Sequence, residues 1–265
     1  MELGLKDRVV LITGGSGGIG RPLAQQFGAE GAHVALTYHR RAETARGVVR
    51  DIEMAGGSAM AVPYDLTDRA SMDQAVAAVT DRWGDIDALV VNASATGGPN
   101  PRPEPFDQIS PSTWEPQLRT EVEGAFHTVQ AVLPTMRRRS WGRIVFMSAS
   151  IVFRGRAGDE AYTAGKAALH GLSRSLATEL FDDGILSNVV APGPTLTEGL
   201  LGKLPPALRD KIAGRSPEQA RKLLDQGMPH LRFSTVEDVT NVVVFLASAA
   251  NGNVTGSVVN VAGGH

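Results

Sequence analysis

The 265-residue chain has no cysteine and almost no excess charge of either sign. Without thiols it forms no disulfides, uses no thiolate in catalysis and offers no cysteine to a metal. Its 26 Lys and Arg residues face 28 Asp and Glu residues, and the net charge of −2 argues against nucleic acid and against a polybasic membrane anchor. No apolar run approaches the ~18 residues that span a bilayer, and the first residues lack a secretory pattern. We therefore expect a cytoplasmic protein with no membrane or nucleic-acid partner.

Seven short apolar runs alternate with amphipathic segments along the whole chain. The runs are Val9–Thr13, His33–Tyr38, Ser58–Tyr64, Ala88–Asn92, Arg143–Ser148, Ser187–Ala191 and Ser257–Val261. Between them apolar residues recur at helical spacing, as Ile19, Leu23 and Phe27 do. Continuous apolar strands separated by helices are typical of parallel βαβ units. We predict one α/β domain over residues 1–265, a Rossmann-type doubly wound parallel sheet of about seven strands with helices on both faces.

Two segments interrupt this alternation after the fourth and sixth predicted strands. Ser94–Ser112 cannot be a regular helix because it contains Pro99, Pro101, Pro103, Pro105 and Pro111. Pro192–Phe233 is too long for a simple connection. Ligands of open parallel sheets bind beyond the carboxyl ends of the strands, where both segments start. We predict a substrate loop in the first segment and a substrate-binding lid over residues 194–233; surface variation is the alternative.

A glycine-rich turn joins the first predicted strand to the first predicted helix. It reads Gly14-Gly15-Ser16-Gly17-Gly18-Ile19-Gly20. Glycine lets a pyrophosphate approach the backbone, and a helix N-terminus offers it free N–H groups and a partial positive charge. In this strand–turn–helix context the pattern predicts a dinucleotide-binding turn.

The end of the second predicted strand indicates which dinucleotide binds. An acidic residue at that point would bond a free ribose hydroxyl, but the chain has His39, Arg40 and Arg41 there. Guanidinium groups suit a 2′-phosphate, so we predict NADP(H) in preference to NAD(H). Asp65 at the end of the third strand is a candidate for the adenine, with helix capping as its alternative role.

Together these patterns resemble the short-chain dehydrogenase/reductase family over almost the whole chain. The similar motifs are Thr13-Gly-x-x-x-Gly18-Ile-Gly20, Asp65-Leu66, Asn92-Ala93, Tyr162-x-x-x-Lys166, Pro192-Gly193 with Thr197, and Val254-Thr-Gly256 through Gly263-Gly264. Thr195, in the same loop as Thr197, is a further candidate to bind the cofactor. Tyr38-His39-Arg40 also resembles the NADPH site of pteridine reductases. The resemblance implies that the first five of these motifs contribute to the cofactor site and that the sixth forms the family's last strand. It further implies an oxidoreductase, either a carbonyl or imine reductase or an alcohol dehydrogenase, that forms a homodimer or homotetramer.

Tyr162 and Lys166 match the family's catalytic pair. A spacing of four places both side chains on one face of a helix. A phenol with a pKa near 10 is a poor base, and a nearby ammonium lowers that pKa. We expect Tyr162 to be the acid or base and Lys166 to be its activator; the resemblance implies that Lys166 also bonds the nicotinamide ribose.

The position of the family's carbonyl-polarising serine is occupied by alanine. Counting thirteen residues back from Tyr162 leads to Ala149, which Ser148 and Ser150 flank. Successive side chains of a strand point to opposite faces, so both serines point away unless a bulge or slip brings one in. Either serine is a candidate to replace the missing hydroxyl.

The position of the family's catalytic asparagine is occupied by glutamate. Aligning Gly124 and Phe126 with the family pattern places Glu121 there. Glu121 is a candidate proton relay or a partner for Lys166, and exposure to solvent is the alternative.

These two departures keep three functions open. The first is an NADPH-dependent reductase of a medium-sized, mostly apolar small molecule. The second is net non-redox chemistry, such as dehydration, cyclisation or isomerisation, on the same residues. The third is a cofactor-binding protein without turnover. We predict no metal site, because the remaining histidines show no metal-ligand spacing: His33, His127, His170, His230 and His265.

Overall fold

Seven parallel strands form one sheet in the described part of the chain. The structure is a computed structural model that describes residues 2–94, 104–228 and 232–264. The strands are β1 (Val9–Ile12), β2 (His33–Tyr38), β3 (Ser58–Pro63), β4 (Ala88–Val91), β5 (Gly142–Met147), β6 (Ile185–Pro192) and β7 (Val258–Val261). Their order in the sheet is β3-β2-β1-β4-β5-β6-β7. This confirms the predicted doubly wound sheet, and the order reverses between β1 and β4.

Helices cover both faces of this sheet. They are α1 (Gly20–Ala29), α2 (Ala42–Met54), α3 (Arg69–Trp83), α4 (Pro111–Arg139), α5 (Glu160–Leu180), α6 (Glu198–Leu201), α7 (Pro206–Ile212), α8 (Pro217–Gly227) and α9 (Val236–Leu246). Val10 and Ile12 of β1 pack into the core under α1, α2 and α9, whereas Val9 and Leu11 pack under α3, α4 and α5. Burial on both faces explains why the strands are continuously apolar.

Side-chain caps set where several helices begin. Asp68 caps α3 by accepting a hydrogen bond from the Ala70 N–H, and Thr235 forms a capping box with Asp238 at the start of α9. Ser110 caps α4, which starts at Pro111, because proline is tolerated at the first helical position. The predicted irregular segment therefore ends two residues earlier than Ser112. Its Pro99, Pro101 and Pro103 lie outside the described residues, as do His230 and His265.

The long segment between β6 and α9 contains the three short helices α6, α7 and α8. They enclose a small apolar core of their own: Leu196, Leu204, Ala220, Leu224 and Phe233. A parallel bridge between Thr195 and Ser234 joins the two ends of the segment. Among the described residues, no helix is long and apolar enough to cross a membrane.

Candidate active site

The turn between β1 and α1 has a backbone path that only glycine permits at several positions. A Cβ atom at Gly20 would lie 2.4 Å from the Gly14 carbonyl oxygen. Gly14 and Gly18 have φ angles of +67° and +58°, which L side chains rarely adopt. No described atom comes within 4 Å of a Cβ built on Gly18, so the turn is open on that side.

A cleft of about 870 Å³ runs past this turn along the carboxyl ends of β1 to β4. It is lined by Gly14, Ser16, Gly17, Gly18, Ile19, Thr37, Tyr38, His39, Arg40, Arg41, Tyr64, Asp65, Leu66, Thr67, Asn92, Ala93, Ser94 and Thr120. The cleft thus brings together the predicted turn, the cationic end of β2, the Asp65-Leu66 pair and the Asn92-Ala93 pair. Of the predicted cofactor residues, Gly20, Tyr162, Lys166, Pro192, Gly193, Thr195 and Thr197 are not part of its lining.

Thr13, which opens the predicted glycine motif, and Thr37, which we did not single out from the sequence, hold the turn in place. Thr13 Oγ1 accepts the backbone N–H groups of Asn92 and Ala93, each at 2.9 Å. Thr37 Oγ1 accepts the Gly14 N–H at 3.0 Å. Asn92 Nδ2 donates to the carbonyl oxygens of Thr13 and Gly14 at 3.0 and 3.2 Å, so this amide also secures the turn. Thr13, Thr37 and Asn92 lie at the ends of β1, β2 and β4, and this position is the feature of the sequence that indicates their role in the turn.

Basic side chains cluster at the carboxyl end of β2, where they line the cleft. The Arg41 guanidinium lies over the glycine turn: a Cβ atom built on Gly17 would be 3.4 Å from Arg41 Nη1. His39 Nε2 lies 3.3 Å from Asp65 Oδ2. Hydrogen bonds from the Thr67 backbone and side chain lower the pKa of Asp65, and His39 and Arg40 lower it further. Asp68, not Asp65, caps α3, so the capping role considered for Asp65 is wrong.

Lys166 on α5 forms a buried ion pair with Glu121 on α4. Its Nζ atom lies 2.9 Å from Glu121 Oε2, and the two side chains are 5% and 1% exposed. Lys166 also donates to the Met147 carbonyl oxygen at 3.0 Å, and Ser94 donates to Glu121 Oε1. The helices approach this closely because Gly165 has no side chain: a Cβ there would lie 3.0 Å from Glu121 Cβ. Of the alternatives for Glu121, the structure shows the pairing with Lys166, and solvent exposure is wrong.

The pKa of the Tyr162 phenol is shifted in the direction opposite to the one predicted from the sequence. Burial is the largest cause that raises its pKa to about 12, the Glu121 and Asp159 carboxylates raise it too, and Arg156 opposes them. We expected Lys166 to lower this pKa, but its ammonium lies 5.8 Å from the centre of the Tyr162 ring and is paired with Glu121. The sequence analysis did not identify Asp159 as a neighbour of the phenol, although its place three residues before Tyr162 in the chain indicates it. Asp159 is buried and paired with Arg156.

The residues after β6 use their polar groups to shape a loop. Gly193 N–H donates to the Val261 carbonyl oxygen at 2.9 Å, and a Cβ on Gly193 would be 3.0 Å from Ala262 Cβ. Thr195 donates to the Gly193 carbonyl oxygen, and Thr197 caps α6 through the Leu200 N–H. Pro192, Gly193, Thr195 and Thr197 therefore form one ordered loop next to the last strand.

Comparison with known proteins identifies the family. The family model for short chain dehydrogenase matches residues 8–203. The chain belongs to the short-chain dehydrogenase/reductase family. Membership places it among oxidoreductases whose cofactor is a nicotinamide dinucleotide.

Individual relatives match this short-chain dehydrogenase/reductase along its whole length. It is 35% identical over 265 residues to the 3-oxoacyl-(acyl-carrier-protein) reductase FabG of Aquifex aeolicus, covering all of this chain and 99% of that protein. It is 32% identical over 268 residues to an acetoacetyl-CoA reductase of Synechocystis, again covering 100% and 99%. A 7α-hydroxysteroid dehydrogenase solved with NADH and 7-oxo glycochenodeoxycholic acid has a TM-score of 0.83 at 28% identity, covering 99% of this chain and 96% of that one.

The glycine turn of this short-chain dehydrogenase/reductase fits its family's dinucleotide. The open side over Gly18 admits a pyrophosphate to the backbone, and the α1 N-terminus lies directly behind it. The Arg41 guanidinium over Gly17 supplies a positive charge at the same place.

The two candidate serines differ in their surroundings. Ser148 is buried, donates to the Lys166 carbonyl oxygen at 3.2 Å and lies 2.8 Å from His170 Nε2. Ser150 is buried at the start of a 3-10 turn, Ser150–Phe153. Ala149 is extended, with φ −153° and ψ 144°.

A second cavity of about 460 Å³ lies among α6, α7 and α8. It is lined by Leu196, Leu201, Gly202, Arg209, Ile212, Ala213, Gly214, Arg215, Pro217 and Ala220. The walls are mainly apolar, and the cavity lies within the segment predicted to bind substrate.

Proposed function

We propose that this protein is an NADP(H)-dependent reductase of ketones or imines that also runs in reverse as an alcohol dehydrogenase. One observation carries the proposal. The cleft lined by the predicted cofactor residues ends at Ser94, whose hydroxyl contacts Glu121, and Glu121 in turn holds Lys166 beside Tyr162. The cationic end of β2 is thus connected to Tyr162 and Lys166 through the cleft and then through the contacts of Ser94 and Glu121.

NADP(H) is preferred over NAD(H) because cations line the β2 end of the cleft. Arg40 and Arg41 suit a 2′-phosphate, which a guanidinium binds through charge-assisted hydrogen bonds. Asp65, the acid in the lining of the cleft, lies 3.3 Å from His39 and already accepts hydrogen bonds from the backbone and side chain of Thr67. A free ribose hydroxyl would find few acceptors at this position.

The chain's own residues hold and transfer the proton. The bound cofactor supplies the hydride. Tyr162 stays a neutral phenol far above neutral pH and is therefore set to donate a proton to the carbonyl oxygen of the substrate. Lys166 uses two of its three N–H donors on Glu121 and Met147, which leaves the third for the nicotinamide ribose. Ser150 is the better candidate to polarise the carbonyl, because the Ser148 hydroxyl is engaged by His170.

The substrate is a medium-sized, mostly apolar molecule. We infer that residues 194–233 are a lid within a single domain and that the apolar cavity among α6, α7 and α8 takes part of the substrate. Two relatives are named for reducing 3-oxoacyl or acetoacetyl thioesters, so acetoacetyl-CoA belongs in the substrate panel. A homodimer or homotetramer stays a prediction.

The test is an NADPH fluorescence time course with acetoacetyl-CoA and with ketones, quinones and imines. A decay that requires substrate and disappears in Tyr162→Phe supports the reductase, and a parallel course with NADH tests the preference for NADPH. Fluorescence that never changes on mixing would contradict the cofactor site.

A second candidate function is net non-redox chemistry on the same residues. It is favoured by Ala149, which puts no hydroxyl at the family's serine position, and by the Glu121 carboxylate beside Lys166. Product formed by a protein that binds NADPH without consuming it would support this candidate over the reductase.

A further inference from the structure

Two departures from the family pattern contact each other in this structure. The Asn92-Ala93 pair resembles part of an Asn-Asn-Ala-Gly segment of the family, which in this chain ends in Ser94, and the family's asparagine on α4 is replaced by Glu121. The Ser94 hydroxyl donates to one carboxylate oxygen of Glu121, and the Lys166 ammonium donates to the other. Both carboxylate oxygens thus have a hydrogen-bond donor, and the Glu121 and Lys166 side chains are themselves buried, which is the condition under which a buried charge persists.

The pairing changes the charge that Tyr162 experiences. A lone ammonium on the next turn of α5 would favour the phenolate. Here the Glu121 carboxylate lies 2.9 Å from that ammonium, so the pair has no net charge. The other charges near the phenol come from the segment before α5: the buried Asp159 and its partner Arg156. The carboxylates of Glu121 and Asp159 therefore balance the cations Lys166 and Arg156.

We propose that Glu121 is a positioning residue which, by pairing its charge with that of Lys166, keeps Tyr162 protonated and so sets the site to donate a proton. The effect on catalysis rests on the proposed function, whereas the effect on the protonation of Tyr162 is a property of the ligand-free protein. Burial and the two carboxylates both act in this direction on the pKa of Tyr162. The expected consequence is reduction that persists far into the alkaline range.

The decisive variant is Glu121→Gln, which keeps the size and one oxygen acceptor of the side chain but removes its charge. Glu123→Gln is the matched control, because Glu123 lies two residues further on α4, is exposed and faces Arg119. Glu121→Asp keeps the charge on a shorter side chain and is the rescue variant. Thermal unfolding of each protein establishes that it is folded before any titration.

The first measurement is tyrosinate absorbance of the ligand-free proteins from pH 8 to 13, over the range in which each protein stays folded, because the pKa of Tyr162 is raised to about 12 in the wild type. Subtracting the matching Tyr162→Phe protein isolates this one phenol from Tyr38 and Tyr64. We expect Tyr162 to titrate about 1 pH unit or more lower in Glu121→Gln than in the wild type, with Glu123→Gln unchanged and Glu121→Asp close to the wild type. Coincident titration curves for folded wild type and Glu121→Gln would overturn the proposal.

The second measurement covers the case in which Glu121→Gln does not fold. Ser94→Ala removes the donor to the other carboxylate oxygen but leaves the ion pair, so Tyr162 in this variant should titrate within about 0.5 pH units of the wild type. Glu121→Asn restores the family's residue and removes the charge, so Tyr162 should titrate at a lower pH, as it does in Glu121→Gln. An Asn variant that titrates like the wild type would overturn the proposal.

Catalysis gives a separate readout. If the protein is a reductase, the alkaline limb of its reduction profile should move to lower pH in Glu121→Gln by the same amount as the tyrosinate titration. A shifted titration in a protein that reduces no substrate would leave the proposal standing and contradict the proposed function instead.

Discussion

The Ser148 hydroxyl lies 2.8 Å from Nε2 of His170, two helical turns beyond Tyr162 on α5. It also donates to the Lys166 carbonyl oxygen, so it joins the end of β5 to the middle of α5. Eight residues of helix correspond to about 12 Å of axial rise, which places this contact well away from the phenol. The two serines beside Ala149 therefore have different surroundings, although the sequence does not distinguish them.

Ser148→Ala should destabilise the protein without a large effect on catalysis. Removing the hydroxyl leaves His170 without its buried partner, at a cost of about 1–3 kcal/mol in the free energy of unfolding. Ser150→Ala should have the opposite pattern, with kcat for carbonyl reduction lower by about 10²–10³ and little change in stability. Urea unfolding and steady-state kinetics of both variants test the assignment. A Ser148→Ala enzyme with the larger loss of kcat would reverse it.

His170 should make stability depend on pH in the mildly acidic range. Burial, with a smaller effect of Arg174, lowers the pKa of His170 below its ordinary value of 6.5 in the folded protein. Its contribution to stability is complete above about pH 6.5 and is lost as the pH falls, because the unfolded chain takes up a proton that the folded one resists. Urea unfolding between pH 5 and 8 should show this slope in the wild type and a smaller one in His170→Asn. Equal slopes for the two proteins would count against it.

The strands and the glycine turn could be read from the sequence because short-range physics determines them. Runs such as Val9–Ile12 are apolar on both faces, and the turn needs glycine where a Cβ would meet the Gly14 carbonyl oxygen. The capping box at Thr235 depends on residues three apart, so it too was predictable. Local pattern and local structure agree in each case.

The electrostatics of the site could not be read in the same way. Glu121 and Lys166 are 45 residues apart, and their contact depends on how closely α4 approaches α5 at Gly165. The raised pKa of Tyr162 arises mainly from burial, which no spacing in the chain encodes. The sequence therefore predicts Tyr162 and Lys166 as an acid–base pair, and its prediction that the pKa of Tyr162 is lowered is wrong for the ligand-free protein.

Two glycine-to-alanine substitutions should have opposite effects. At Gly20 the added Cβ would lie 2.4 Å from the Gly14 carbonyl oxygen, so we expect a loss of about 1–3 kcal/mol and weaker NADPH binding. At Gly47 in α2 the Cβ meets only the far end of Arg50, at 3.8 Å. Gly47→Ala should gain about 0.5–1 kcal/mol by favouring the helix. Urea unfolding measures both, and a Gly20→Ala protein as stable as the wild type would contradict the tight turn.

Arg41 should distinguish the two nicotinamide cofactors. Its guanidinium lies over Gly17 at the mouth of the cleft, where a 2′-phosphate would accept a charge-assisted hydrogen bond worth about 1.5–3 kcal/mol. We expect Arg41→Ala to weaken NADPH binding about 10-fold to 100-fold and to leave NADH binding within about 2-fold. Fluorescence titration of both cofactors measures this, and the loss for NADPH should shrink at high salt because charge carries it. Arg46→Ala is the matched control, since Arg46 is exposed on α2 and pairs with Glu43. An equal loss for both cofactors would assign Arg41 to the shared pyrophosphate and remove the basis for the NADPH preference at this residue.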